Sequence, residues 1–287
     1  MYSTLRGLKQ HFAEELSSIY SIREAEILFF SVMEYVLGQT KTEMLLHFGQ
    51  EISENQQAKI DEIVGRLKQH EPIQYITSQS HFYGNEFYVN PSVLIPRPET
   101  EELVHLILTE NETPNLSLLD IGTGSGIIPI TIAQNRKTWV VLGCDISLEA
   151  LEIAGINNKK ISNGRVELFQ ENILQPSRIF DSLFDIIVSN PPYVLESDKN
   201  EMSENVLNFE PHLALFVPNE DPLLFYRAIL SYAQTNLKPN GKIYFEIHEQ
   251  YAEAMSKLFS EFGFENIRQV HDMQGKVRIV TGVFAQN

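Results

Sequence analysis

The residues best suited to chemistry in this chain are Asn190-Pro191-Pro192-Tyr193, which follow the apolar run Leu183-Phe184-Asp185-Ile186-Ile187-Val188 and a small Ser189. The run reads as a buried parallel strand stopped by two prolines. Such a strand delivers the asparagine to the carboxyl edge of a sheet, where open α/β folds bind their ligands. The prolines fix the backbone and leave carbonyls with no continuing ladder, so the Asn190 side chain and the Pro191 carbonyl can point at one small polar group. Two fixed acceptors suit an NH2 group. Asn-Pro is also a common turn starter, and turn chemistry alone would account for these residues.

Upstream, Leu116-Ser117-Leu118-Leu119-Asp120-Ile121 reads as another buried strand, running into Gly122-Thr123-Gly124-Ser125-Gly126 and then an apolar helical segment from Ile127 to Ala133. A glycine loop between strand and helix lets the backbone approach a ligand closely, with helix amides behind it. The dinucleotide fingerprint wants its third glycine where this chain has Ile127, so the spacing fits a nucleoside without phosphates better than a pyrophosphate. A second strand, Trp139-Val140-Val141-Leu142-Gly143-Cys144, ends at Asp145, where a carboxylate can hold a ribose diol. The other reading is that Asp145, followed by Ile146-Ser147, caps the next helix. Past a third strand, Val166–Gln170, Asn172 could bond an adenine and Ile173 pack on it. Where the first and fourth strands are neighbours, the glycine and proline loops face one crevice.

The elements that must position these residues follow from pattern. Leu5, Leu8, Phe12, Leu16 and Ile19 keep the spacing of one buried helix face, with Ser3 or Thr4 as cap. Ser21 and Glu24 form a capping-box pair ahead of Ala25, Leu28, Val32, Met33 and Val36, ending at Gly38; a third helix begins near Lys41. Ser53 and Gln56 repeat the box ahead of Ile60, Ile63, Val64 and Leu67, and Pro72 closes the series. This bundle reads equally as a partner-recognition domain or a stabilising cap. Phe82 to Val89, with Gly84-Asn85 inside, signals a hairpin. In Leu94-Ile95-Pro96-Arg97-Pro98-Glu99-Thr100-Glu101-Glu102-Leu103, Pro98 suits a first helical turn rich in acids, and Arg97 and Thr100 are open to a cofactor-lid role. The remainder alternates strands and helices as a mainly parallel sheet does: a helix from about Leu148 to Asn158, another over Phe225 to Leu237, a turn at Lys238-Pro239-Asn240-Gly241, a strand Lys242 to Ile247, a helix Tyr251 to Phe262 ending at Gly263, and a late strand Val277 to Phe284. The expected domains are 1–72, a hairpin linker 73–95, and 96–287.

Composition narrows the classes. The 287 residues are 43% hydrophobic and 21% charged, ordinary for a globular protein and sufficient for two cores. The net charge of −16 argues against a binder of phosphate backbones; residues 1–80 carry 7 basic and 11 acidic side chains, leaving −12 for the rest. The single Cys144 permits no internal disulfide and reads as core packing. No apolar run is long enough to span a membrane and the amino terminus lacks a signal-peptide centre, so a cytoplasmic location is expected. Eight scattered histidines without His-x-His or His-Glu-x-x-His spacing give no metal site.

With these residues in hand, the Gly122–Gly126 loop, Asp145 and Asn190-Pro191-Pro192-Tyr193 resemble the signature of class I S-adenosylmethionine-dependent methyltransferases that modify an NH2 group on an amide or a nucleobase. More narrowly, Pro72-Ile73-Gln74-Tyr75-Ile76, Leu94 to Glu101, Asn190 to Tyr193, and Asn208-Phe209-Glu210-Pro211 with Ala214-Leu215 resemble the bacterial peptide chain release factor glutamine methyltransferases, the PrmC/HemK family. The match spans nearly the whole chain. One departure is Asn172, where the family often has Asp; an amide still accepts a hydrogen bond from adenine.

The resemblance implies an α/β, Rossmann-like, mainly parallel seven-stranded sheet with an N-terminal helical bundle and a linking hairpin, its last strand antiparallel and inserted between its neighbours. It implies methyl transfer from S-adenosylmethionine, leaving S-adenosylhomocysteine, to the glutamine side-chain nitrogen of the Gly-Gly-Gln motif in release factors, with neither nucleic acid nor membrane as partner. The catalytic residues would be Asn190, Pro191, Pro192 and Tyr193, the last packing on the planar amide or serving as core or lid. Cofactor contacts would come from Gly122, Thr123, Gly124, Ser125, Gly126, Asp145, Asn172, Ile173 and Asn190. Glu210 is open to shaping a substrate channel, forming a turn or lying at the surface. The rivals are a nucleobase (adenine) aminomethyltransferase, which would need to hold and unstack nucleic acid, and a non-catalytic release-factor-binding adaptor, which would not need the Asn190 motif.

Overall fold

The computed structural model describes residues 4–285, which form two compact units: the residues through Ser78 with Ser203–Phe209, and Gln79–Met202 with the residues from Glu210 onward. The first unit is helical: α1 (Leu5–Leu16), α2 (Ile22–Leu37), α3 (Lys41–Leu46), α4 (Glu54–Leu67) and α5 (Ile73–Thr77). Thr4 caps α1 by accepting from Gly7 N; Ser3, the other candidate, lies outside the described residues. Helix α1 stops at Leu16, where the Ser17 hydroxyl takes the Glu14 carbonyl at 2.8 Å, so Ile19 falls after the helix and only half-buried. The capping boxes at Ser21/Glu24 and Ser53/Gln56 are both closed, and Gly38 ends α2 at φ 65°.

Two expectations for this unit are corrected. The buried stripe of α2 runs through Ala25, Phe29, Phe30, Val32 and Met33, leaving Leu28 and Val36 on its half-buried flank. Pro72 opens α5 rather than closing the bundle, because proline cannot continue a helix but suits the start of one. The segment Ser203–Phe209, which carries a short helix, belongs with this unit, and His70 Nε2 lies 3.2 Å from the Glu204 carboxylate.

The second unit opens with a hairpin of β1 (Gln79–Phe82) and β2 (Asn85–Tyr88). Its turn is Tyr83-Gly84, at φ 49° and 77°, one residue earlier than the Gly-Asn reading. Phe82 and Phe87 are buried in the same core as Leu103, Val104 and Ile107, so this hairpin is part of the unit and not a linker. There follow α6 (Pro98–Glu110), β3 (Ser117–Ile121), α7 (Ile127–Asn135), β4 (Val140–Asp145), α8 (Leu148–Ser162), β5 (Val166–Gln170) and β6 (Phe184–Ser189). A small parallel pair, β7 (Val194–Leu195) and β8 (Phe216–Val217), flanks the short helix α9 (Glu204–Phe209) in sequence. The chain closes with α10 (Leu224–Asn236), β9 (Leu237–Glu246), α11 (Ala252–Glu261), β10 (Phe264–His271) and β11 (Val277–Phe284).

The seven-stranded sheet has the order β10-β11-β9-β6-β3-β4-β5. Strands β9, β6, β3, β4 and β5 are parallel, and β11 runs antiparallel between β10 and β9, as the resemblance implies. Successive strand residues fall into two separate cores, Leu118, Ile186, Val188 and Tyr244 in one, Leu119, Ile187, Ile243 and Phe245 in the other. That is the alternation a sheet covered on both faces demands. Chain order reverses between β3 and β6, which opens a crevice at their carboxyl ends.

The Lys238–Gly241 stretch is not a turn ahead of the strand but a bulge within β9. Phe184 pairs with Leu237 and Ile186 with Lys242, while Asn240 takes φ 63°. Strand β10 has no sequence signal because it is the exposed sheet edge and carries mixed polarity. Gly282 on β11 marks a close approach, since an added Cβ would lie 2.7 Å from the buried Phe259 ring. Gly282→Ala should therefore lower the unfolding free energy by about 1–3 kcal/mol, as overpacking does. An unchanged urea midpoint would contradict this packing.

Candidate active site

A cavity of about 380 Å³ opens at the carboxyl ends of β3, β4 and β6. Gly122, Thr123, Gly124 and Ser125 form one wall, Asp145, Asn172 and Ile173 another, and Ser189, Asn190, Pro191 and Pro192 a third. The glycine loop is held from beneath: Gly122 N and Thr123 N both donate to the Cys144 carbonyl at 2.9 Å. Gly122 and Gly124 take φ 75° and 54°, conformations that favour glycine. Gly126 does not line the cavity. It turns the chain into α7 at φ 82°, donates to the Thr123 carbonyl at 2.9 Å, and leaves no room for a Cβ against Ile130.

Asp145 Oδ2 accepts from Gly124 N at 2.8 Å and Oδ1 from Ser147 N at 3.0 Å. The helix-capping task falls to Ser147, whose hydroxyl accepts from Ala150 N. With Ile146 also contributing a backbone contact, the carboxylate of Asp145 still keeps part of its acceptor capacity. Burial raises its pKa against the pull of these backbone bonds. Asn172 Oδ1 accepts from Leu174 N at 3.0 Å, which shapes the loop after β5.

Asn190 is oriented by neighbours that its own motif does not contain. Its Nδ2 donates to Thr100 Oγ1 at 3.3 Å, and Thr100 donates to Glu246 Oε2 at 2.7 Å. Ser189 Oγ, just before it, donates to the Ile121 carbonyl at 2.6 Å and ties the ends of β6 and β3 together. Tyr193 is not among the cavity-lining residues. It packs on the larger core with its ring 6.1 Å from that of His248, and burial pushes its phenol pKa well up. This is the core placement that the sequence left open beside an amide-stacking one.

Glu210 is neither at the surface nor merely a turn residue. Its buried carboxylate accepts from Ile95 N at 3.2 Å and from Arg97 Nη2 at 2.6 Å. The pair joins two stretches that line the cavity, Leu94–Arg97 and Pro211–Ala214. Two further acids escaped the sequence reading, although each interrupts an apolar run. Asp120, wholly buried next to the loop, has no partner within 3.5 Å on either oxygen, and burial lifts its pKa to about 7 against the pull of the nearby Thr123 hydroxyl. Glu246, 2% exposed at the end of β9, is lifted likewise to about 7.

The charges on the cavity wall are Arg97, Asp145, Glu149 and Glu171, and Arg97 is already paired with Glu210. A wall of this sign favours a cationic ligand over a phosphate.

Comparison with known proteins agrees with this geometry. The chain matches the PrmC N-terminal domain over residues 8–77 and the methyltransferase small domain over residues 100–209. A solved methyltransferase from Pyrococcus furiosus shares the fold, with TM-score 0.53 over 82% of this chain and 100% of its own at 17% identity. Sheet order, glycine loop and these matches define a class I methyltransferase. Among its relatives are the release factor glutamine methyltransferases of Bacteroides thetaiotaomicron, 42% identical over 96% of this chain and 99% of that one, and of Streptococcus pneumoniae, 43% identical over 96% and 97%. The chain belongs to the release factor glutamine methyltransferase family.

The pKa of Asp120 near 7 stands above the ordinary aspartate value of about 3.9, so between the two the folded protein keeps a proton that the unfolded chain releases. Stability from this residue is therefore lost as pH rises. Asp120→Asn cannot ionise and should gain on the parent between about pH 4 and pH 8, by on the order of a few kcal/mol in urea unfolding. A gain that does not vary with pH would reject the assignment.

Proposed function

We propose that this enzyme transfers a methyl group from S-adenosylmethionine to the side-chain amide nitrogen of the glutamine in the Gly-Gly-Gln motif of peptide chain release factors. The reading is carried by one observation: the glycine loop and the Asn190-Pro191 pair line a single cavity whose unpaired charges are acidic. The names of the relatives supply the substrate class. Bound in this cavity, S-adenosylmethionine supplies an electrophilic methyl group on a positively charged sulfur.

Asp145 would hold the ribose with the acceptor capacity left over from Gly124 and Ser147. Asn172 and Ile173 would meet the adenine, and the backbone from Gly122 to Ser125 would leave room for the methionine end. The acidic wall suits the positive sulfonium and ammonium of that ligand.

An amide nitrogen is a poor nucleophile because its lone pair is delocalised into the carbonyl. Asn190 Oδ1 and the Pro191 carbonyl each accept one hydrogen of the substrate NH2, which aims the nitrogen and steadies the positive charge that grows on it. No strong base is needed before transfer, because the proton leaves only once the nitrogen has become acidic. Tyr193 packs against the core, its ring near His248. The helical unit reads the release factor.

Asn190→Ala should reduce turnover on release factor by about 10²–10³-fold, the range for losing one preorganised polar contact, with cofactor affinity largely kept. Wild-type turnover in single-turnover assays with labelled cofactor would end the mechanism. Asp145→Ala should weaken cofactor binding by about 1.5–3 kcal/mol. Equal affinities by calorimetry would remove Asp145 from the ribose site.

A further inference from the structure

Thr100, Glu246 and Asn190 form a polar chain in an otherwise apolar setting. Thr100 on α6 is 1% exposed and Glu246 on β9 is 2% exposed, with Phe245 and Ile247 fully buried on either side. The Thr100 hydroxyl donates to Glu246 Oε2 at 2.7 Å, and Asn190 Nδ2 donates to Thr100 Oγ1 at 3.3 Å. A buried acid is costly, and the side-chain hydrogen bond to the Glu246 carboxylate comes from an uncharged hydroxyl, Thr100. Tyr226 donates to its backbone carbonyl at 3.0 Å, not to its carboxylate. Fold stability alone gives no reason to keep such a group.

The arrangement has a directional consequence. A carboxylate only accepts, and a hydroxyl has one proton to give. With that proton committed to Glu246, Thr100 turns lone pairs toward Asn190. The amide must then face the pair with its NH2, and its Oδ1 must face away. Rotated the other way, Asn190 would present NH2 to the incoming NH2 of the substrate, donor against donor. We infer that Thr100 and Glu246 are positioning residues that set which end of the Asn190 carboxamide meets the substrate, an inference that rests on the proposed transfer to an amide nitrogen.

The ionised form of Glu246 is the one that holds this orientation. Burial raises its pKa to about 7, with Glu99 on α6 adding to the rise and Arg278 on β11 opposing it; the phenols of Tyr193 and Tyr226, both raised, stay neutral. Below that pH the carboxyl becomes a donor to Thr100, whose own proton is then free to attract Asn190 Oδ1 inward. Turnover should fall as the acid is protonated. Asp120 titrates in the same range but lies beside the glycine loop, so its effect belongs to cofactor affinity and not to turnover at saturation.

The test is kcat and KM for release factor methylation by the full-length protein at saturating S-adenosylmethionine, from pH 6 to 8.5. Wild-type kcat should drop about tenfold between pH 8 and pH 6, as one group with a midpoint near 7 requires. Thr100→Val should lose tenfold or more in kcat with the cofactor affinity measured by calorimetry little changed, and Thr100→Ser, which keeps the hydroxyl, should recover most of that loss. Glu246→Gln should have no pH limb. A flat wild-type profile, a limb that survives in Glu246→Gln, or wild-type kcat in Thr100→Val would each overturn the inference. Should Thr100→Val fail to fold, the wild-type and Glu246→Gln profiles decide. Absence of release factor methylation by the wild type at every pH would instead overturn the proposed function.

Discussion

The site depends on β3 and β6 lying side by side and ending together. Ile121 pairs with Ser189 at the last rung, and the Ser189 hydroxyl closes that rung on the Ile121 carbonyl at 2.6 Å. Gly122 and Asn190 are the next residues of two strands about 4.8 Å apart. A slip of one residue in this pairing would turn Asn190 to the other side of its strand and break the meeting of loop and amide. The register is itself locked by alternation, because Ile186 and Val188 face one core and Ile187 the other. The cores on both faces of the sheet thus hold two short loops in place, and the loops need little stability of their own.

Acids at the ends of buried strands cost the fold something. Asp120 and Glu246 sit where apolar side chains would pack better, and burial drives both pKa values to about 7. In neither case does a salt bridge offset the cost: Asp120 has only the Thr123 hydroxyl near it, and Glu246 accepts from Thr100. Elsewhere the same protein neutralises a buried acid efficiently, as Arg97 does for Glu210. The contrast separates an acid that joins two segments from acids buried near strand ends with no cation beside them.

The parallel sheet and its motifs were legible in the sequence because buried strands announce themselves as unbroken apolar runs that end at glycine or proline. Strands β3 and β6 and their loops follow from that rule, β4 and β5 from the alternation of strands and helices, and the antiparallel insertion of β11 from the family resemblance alone. What stayed hidden has physical reasons. Strand β10 lies at an exposed edge and carries mixed polarity, so no run marks it. The Lys238–Gly241 bulge has the composition of a turn, and only the pairing of Leu237 and Lys242 with β6 on either side of it shows that the strand continues. At the site, Asn190 and the glycine loop are local motifs, whereas the Thr100–Glu246 bond joins residues 146 positions apart and Arg97–Glu210 residues 113 apart. No spacing rule reaches that far. Tyr193 was drawn toward the reaction by its place in the motif, while its ring is held in the core beside His248.

The charge on the cavity wall narrows the ligand more than the shape does. A glycine loop before a helix suits anions on backbone geometry alone, since the amides and the helix dipole point the same way. Here one of those amides, Gly124 N, is already taken by Asp145, and the carboxylate puts a negative charge where a phosphate would sit. The one basic side chain among the described lining residues, Arg97, is neutralised by Glu210. Fold geometry therefore supplies a nucleoside-sized recess, and side-chain charge turns it from pyrophosphate toward a cation. On the proposed function, acceptors at Asn190 and Pro191 would extend the same preference, because oxygen lone pairs welcome hydrogen-bond donors and a nitrogen that becomes positive as it reacts.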